Sequence, residues 1–402
     1  MKIRINPSQA RGKVQAPPSK SMAHRLLICA ALCEGVSVVR GVSSCEDVLA
    51  TLDCIESLGV RYERRGDDIT VWGKDLTNAT PLHPLNCRES GSTLRFMIPI
   101  ALLSGMTTLF SGAPSLMSRP MGVYEGLCKS QGLTYITDGN SIAVRGRLFG
   151  GEYELVGNIS SQFISGLLFA LPLCKEDSRI KITTAIESRS YIEMTIKAIA
   201  AFGISAKWED DHTLFIHGGQ KYVARDIAVE GDWSGTAFIE ALNLFGGEVD
   251  IDGLDPESIQ GDRIYRKFYE MLSLGVPTIH IGDCPDLGPV LFAVSSALCG
   301  GIFSGTKRLK IKESDRAAAM AEELSKFGVL VTVHEDAVVV YPADFHKPNE
   351  PLSGHNDHRI VMALSVLLSI TGGEIDGAEV VSKSYPGFFD DLRSLGIEVI
   401  EI

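Results

Sequence analysis

The sequence predicts an α/β protein built of six related units, with apolar helices inside and strands outside. Three observations carry that expectation. An amphipathic run ending in glycine and followed by alternating apolar residues recurs six times. A nearly all-apolar run lies between successive copies. The length, 402 residues, argues for two or three domains at roughly 150 residues each.

In chain order the first phrase reads Ser57-Leu58-Gly59-Val60, Gln131-Gly132-Leu133, Phe202-Gly203-Ile204, Leu274-Gly275-Val276, Phe327-Gly328-Val329 and Leu395-Gly396-Ile397. The glycines are separated by 73, 71, 72, 53 and 68 residues. Each copy predicts a helix stopped by a left-handed glycine, then a strand with period-two burial. In several copies a second strand follows a polar turn, as Ile69-Thr70-Val71 follows Arg65-Gly66-Asp67-Asp68. The apolar runs are Leu26 to Leu32, Phe96 to Leu103, Ile164 to Leu173, Phe238 to Phe245, Val290 to Leu298 and Ile360 to Ile370. Helices with so little polar face belong inside a domain. A repeat scaffold without an active site would satisfy all of this.

Composition narrows the class. The chain is 45% apolar and 22% charged, ordinary for a globular protein. Thirty-eight basic residues against fifty acidic ones give a net charge of −12, which disfavours nonspecific nucleic-acid binding. Nine scattered cysteines without a Cys-x-x-Cys pair suit free thiols in a reducing compartment. No signal-like h-region opens the chain, and no apolar run approaches the roughly 20 residues of a membrane span. A cytoplasmic location is expected.

The starts of the apolar helices carry the chemistry. Ser21, Gly91, Ser161, Trp233, Asp286 and His358 each stand fourteen residues before the end of one apolar unit. Around them lie Ser19-Lys20-Ser21-Met22-Ala23-His24-Arg25, Glu89-Ser90-Gly91-Ser92-Thr93-Leu94-Arg95, Ser160-Ser161-Gln162, Gly231-Asp232-Trp233-Ser234, Asp283-Cys284-Pro285-Asp286 and Asn356-Asp357-His358-Arg359. Helix capping explains the serines and aspartates. It does not explain Lys20, Arg25, Arg95 and Arg359, because cations in a first turn oppose the helix dipole. An anion bound at the helix N-termini would explain them. Further basic strings surround Arg119, Lys312-Glu313-Ser314-Asp315-Arg316 and Lys383. Lys312 and Arg316, four apart, are expected on one helical face. Singly these read as solvated charges; together they can neutralise phosphates and carboxylates.

Competing motifs are missing. There is no P-loop, no Gly-x-Gly-x-x-Gly after a strand, and no Cys/His set to complete a zinc site with His355 and His358. Cys29 and Cys33 read as core residues of a buried helix.

The strings, in this order from Ser19 to Pro386, resemble the 3-phosphoshikimate 1-carboxyvinyltransferases, also called 5-enolpyruvylshikimate-3-phosphate (EPSP) synthases. The resemblance implies a two-domain, inside-out α/β barrel-like fold with three repeats per domain and the active site in the interdomain cleft. The expected domains are 1–19 with 230–402, and 20–229. It implies transfer of the enolpyruvyl group of phosphoenolpyruvate to the 5-hydroxyl of shikimate 3-phosphate, in the shikimate pathway of aromatic amino-acid biosynthesis. It implies no metal, no organic cofactor, no membrane or nucleic-acid partner, and a monomer. Lys20, Ser21 and Arg25 look like the first substrate-binding string, with Lys20 touching both substrates. Ser160, Ser161 and Gln162, joined by Ser188, Tyr191 and Lys312, are similar to the shikimate 3-phosphate set. Gly91, Arg119, Gln162, Arg316, Arg359 and Lys383 resemble the phosphoenolpyruvate set. Asp286 and Glu313 look like the acid/base carboxylates, with Lys20 and Lys383 able to shuttle protons. Glu89 and Arg308 stand where many members have Asn.

Two alternatives compete. The transferase that adds enolpyruvyl to UDP-N-acetylglucosamine commonly carries a reactive Cys beside its phosphoenolpyruvate-binding Arg, whereas no Cys lies between Cys87 and Cys128 here. A six-unit ring clamping nucleic acid would spread its basic residues along lumen helices, not cluster them at helix starts.

Overall fold

The computed structural model describes residues 1–402, which fold as two compact units. One comprises Met1–Ser19 with Gly231–Ile402, the other Lys20–Glu230.

In the Lys20–Glu230 unit, three apolar helices are buried nearly from end to end: Lys20–Leu32, Gly91–Ala101 and Ser161–Ala170. Three amphipathic helices cover them, Glu46–Ser57, Gly122–Ser130 and Arg189–Ala201. Each repeat adds a four-stranded sheet of one topology. Leu85–Asn86 runs parallel to Thr108–Ser111, which pairs antiparallel with Ser141–Arg145, itself antiparallel to Thr134–Thr137. The same order recurs in the sheets built on Gly35–Arg40 and Ser178–Ile182. The strand Ile227–Ala228 returns to complete the first of these.

The second unit repeats the plan with buried helices Trp233–Glu240, Gly288–Ala297 and His358–Thr371. Tyr265–Leu274, Arg316–Ser325 and Phe388–Ser394 are its amphipathic helices. The N-terminal strand Lys2–Ile5 lies between Gly373–Asp376 and Val399–Glu401, antiparallel to both. It fills the place that a hairpin arm fills elsewhere. One sheet is reduced: Arg11–Gln15 pairs parallel with Glu248–Asp252 and no hairpin extends it. After Asp252 the chain passes instead into a 3-10 turn, Gly261–Ile264, and an amphipathic helix.

Five of the six repeat glycines, Gly59, Gly132, Gly203, Gly328 and Gly396, have φ between 66° and 87°, the left-handed cap their sequences predict. Gly275 departs, at φ 153° and ψ −147°: the chain leaves this helix extended toward Pro277, which cannot continue a helix. No helix is long and apolar enough to cross a membrane.

Candidate active site

None of the six buried helices has an acidic residue in its first turn. In four of them the N-cap side chain, a serine or an aspartate, accepts from a first-turn N–H. Ser90 Oγ accepts from Thr93 N at 3.2 Å and Ser160 Oγ from Gln162 N at 3.3 Å. Asp232 and Asp357 accept from Gly235 N and Arg359 N, both at 3.0 Å. The predicted helix starts Gly91, Ser161, Trp233 and His358 are first residues of their helices. Asp286 lies just before its helix, in a 3-10 turn over Pro285–Leu287.

Within the Met1–Ser19 and Gly231–Ile402 unit, Asp286, Lys312, Glu313, Arg316 and Arg359 form one network, and Lys383 bonds the residue before Asp357. Arg316, 1% exposed, donates from Nη1 to Asp286 Oδ1 at 2.8 Å and from Nη2 to Glu313 Oε2 at 2.7 Å. Its Nε donates to Asp357 Oδ2 at 2.8 Å. Lys312 Nζ stands 3.1 Å from Asp286 Oδ1, and Arg359 Nη2 donates to Asp286 Oδ2 at 3.1 Å. Arg359 Nη1 donates to Ser234 Oγ at 2.9 Å. Lys383 Nζ donates to the carbonyl and Oδ1 of Asn356, at 2.8 and 2.9 Å.

Burial alone would raise the Asp286 carboxyl; Arg359, Lys312 and Arg316 overcome it and hold the group well below the usual carboxylate range. Burial lowers the Lys312 ammonium more than Asp286 raises it. Burial also opposes the charge on Arg316, but Asp357, Glu313 and Asp286 raise its guanidinium above the ordinary value.

One expectation fails here. Lys312 and Arg316 do not share a helical face: Asp315 caps the helix by accepting from Ala318 N, so the helix begins at Arg316. Lys312 is extended, at φ −84° and ψ −157°, after a 3-10 turn over Lys307–Ile311. The two cations meet at Asp286 nonetheless, through a bend and not through i, i+4 geometry.

The Lys20–Glu230 unit holds the other expected residues. Lys20 Nζ pairs with Asp47 Oδ2 at 2.7 Å. Arg25 is 2% exposed and donates to three neutral acceptors: Thr195 Oγ1 at 2.9 Å, the Ser21 carbonyl at 2.6 Å and the Tyr191 carbonyl at 2.9 Å. Burial pushes its guanidinium down to about 10, so it stays charged at neutral pH. Ser188 immediately precedes the helix that carries Tyr191, in the left-handed region at φ 58°. Gln162 bridges two helix starts, accepting from Arg95 Nη1 at 2.7 Å and donating to Ser92 Oγ at 2.8 Å. Arg119 approaches Gly91 so closely that a Cβ there would lie 2.8 Å from its Nη1. Ser160 and Ser161 are buried at the start of the same helix as Gln162.

The comparisons with known proteins agree on one family. The model described as EPSP synthase (3-phosphoshikimate 1-carboxyvinyltransferase) matches residues 5–392. The chain belongs to the EPSP synthase family. A 3-phosphoshikimate 1-carboxyvinyltransferase of Clostridium kluyveri is 39% identical, over 99% of this chain and 98% of that protein. One from Clostridium perfringens is 38% identical, over 98% of each. Two solved EPSP synthase structures from Acinetobacter baumannii cover the whole chain at TM-scores of 0.79 and 0.80, with 23% and 22% identity. The EPSP synthase reading is therefore favoured over the UDP-N-acetylglucosamine alternative.

Beside the residues picked out by EPSP synthase resemblance, the structure adds Asp47, Arg95, Ser234, Asn356 and Asp357 as their direct partners. Arg95 was visible as a first-turn cation, and Asp357 as a cap. Ser234 and Asn356 stood in the helix-start strings, whereas Asp47 had no signal, since its partner lies 27 positions away. Of the two departures from the EPSP synthase pattern, Arg308 is 7% exposed and donates from Nη1 to the Gly282 carbonyl at 3.3 Å. Glu89 is half-buried, one residue before the Ser90 cap.

Proposed function

We propose that this chain transfers the enolpyruvyl group of phosphoenolpyruvate to the 5-hydroxyl of shikimate 3-phosphate, releasing phosphate, and that the residues above divide the work. The observation that carries the assignment of roles is Asp286, a carboxylate set against three cations beside a second carboxylate on the same arginine.

The reaction must remove a proton from the 5-hydroxyl while C3 of phosphoenolpyruvate gains one. C2 becomes tetrahedral, and loss of phosphate with a proton from C3 restores the double bond. Asp286, held ionised, can accept a proton but has none to give. Glu313 meets one guanidinium nitrogen of Arg316 and sits beside the same centre, which supports it as the donor to C3. Lys20 and Lys383, each 2.7–2.9 Å from acceptors of their own, can relay protons and neutralise charge.

Arg119, Arg316 and Arg359, with Lys383 and the N–H groups at Gly91, form the set for the carboxylate and phosphate of phosphoenolpyruvate. Arg25, Ser21, Ser160, Ser161, Gln162, Ser188, Tyr191 and Lys312 form the set for shikimate 3-phosphate. A buried guanidinium with only neutral acceptors, as at Arg25, favours an anion nearby. Nine unbridged cysteines, eight of them buried, support a cytoplasmic location. Phosphate release assayed with both substrates, and with each omitted, tests the function. Release only with both is expected; release from phosphoenolpyruvate alone would contradict it.

A further inference from the structure

Arg359 and Lys383 do not hold themselves in place; the turn just before the Arg359 helix does. His355 and Asn356 are consecutive non-glycine residues in the left-handed region, at φ 47° and 54°. Such backbone persists only when its surroundings over-determine it. The helix Arg316–Ser325 supplies that constraint at two points seven residues apart, hence on one face. At its start Arg316 grips Asp357. Two turns later Glu323, with no exposed surface, takes the other end of the segment. Its Oε2 accepts from Ser353 N at 2.9 Å, and its Oε1 lies 2.8 Å from His355 Nε2.

We propose that Glu323 and His355 are positioning residues that lock the 353–357 turn, so that Asn356 orients the Lys383 ammonium and Asp357 sets the helix start bearing Arg359. The inference rests on the assignment of Lys383 and Arg359 to phosphoenolpyruvate. The hydrogen bond to Glu323 raises the imidazole of His355 above its usual value. Burial would raise the Glu323 carboxyl, but His355, the Ser353 N–H and Lys326 together lower it. The charged groups facing the imidazole are Glu322 and Glu323 on that helix and Lys326 at its C-cap. Ligand atoms of Glu322, Glu323 and His355 lie within 4.8 Å of one another, as a cation site would require. Lys326 Nζ already sits 3.0 Å from Glu323 Oε2, which makes the trio a clamp.

The test compares H355N with H355Q by steady-state kinetics for both substrates, with folding checked by circular dichroism. Asn tolerates the left-handed backbone but is too short to reach Glu323. Gln can place an amide N–H near the position of Nε2. H355N is expected to raise KM for phosphoenolpyruvate about fivefold or more, because small misplacements of binding groups are costly. Its KM for shikimate 3-phosphate should stay within about twofold, and H355Q should restore most of the loss. Unchanged or equally raised KM values in H355N, or an H355Q no better than H355N, would overturn the clamp. Wild-type turnover measured alongside keeps the two claims apart: an inactive wild type refutes the proposed function, whereas active, kinetically silent variants refute only the clamp.

Discussion

Asp286 concentrates the residue-scale argument, because one carboxylate faces Lys312, Arg316 and Arg359. Asp286→Ala should raise the barrier by about 3 kcal/mol or more, the range of general acid–base groups, with substrate binding changed less. Near-normal turnover at saturating substrates would refute the role. The depressed carboxyl also fixes a sign. Its stabilisation is complete above the unfolded value of about 3.9 and is lost only as pH falls through the lower folded value. Asp286 should therefore stay ionised in a pH titration down to well below 3.9. Gly91 is a second case. It is the first helical residue, not the cap, and a Cβ there would meet Arg119 Nη1 at 2.8 Å and Arg95 Nη1 at 3.2 Å. Gly91→Ala should therefore weaken phosphoenolpyruvate binding by moving guanidinium groups. Glycine is costly in a helix by roughly 0.5–1 kcal/mol, so the melting temperature should not fall. Titration with each substrate and a melting curve check both halves.

At the element scale, helix starts and stops were legible because capping residues and glycines act locally. Gly91, Ser161, Trp233 and His358 open helices, and five repeat glycines close them left-handed. The partners of the charged residues were not legible, since Lys20–Asp47 and Arg316–Asp357 join different helices. Lys312 and Arg316 were misread because charge spacing was weighed and the Asp315 cap was not. Helix–helix contact offers its own prediction. Gly166 lets the helix Ser161–Ala170 lie against Gly91–Ala101, where Tyr124 Oη donates to the Arg95 and Phe163 carbonyls at 2.7 and 3.0 Å. A Cβ at Gly166 would overlap Tyr124 Oη and the Arg95 carbonyl oxygen. Gly166→Ala should cost about 1–3 kcal/mol by overpacking, read as a lower denaturant midpoint. An unchanged midpoint would mean that the two helices can separate freely.

For the whole molecule, the six-unit plan was legible from periodicity and residues 1–19 were expected with the second unit, whereas the strand pairing that carries this out was not legible. No local pattern announces that Lys2–Ile5 pairs with strands more than 365 residues later, or that the sheet on Glu248–Asp252 stops at two strands. That pairing predicts that removing residues 1–19 unfolds the Gly231–Ile402 part, because a central strand and a parallel partner are lost together. Circular dichroism and limited proteolysis would show it; a truncated chain with native melting would refute it. The central claim is that carboxylates and cations of this chain carry an addition–elimination at phosphoenolpyruvate. Turnover with shikimate 3-phosphate in deuterium oxide, with the product analysed by mass spectrometry, tests it most directly. The expected result is one phosphate per enolpyruvyl ether, with deuterium in the vinyl group, because C3 takes a proton from an exchangeable donor and then gives one up. An ether formed without deuterium, or phosphate released without ether, would contradict it.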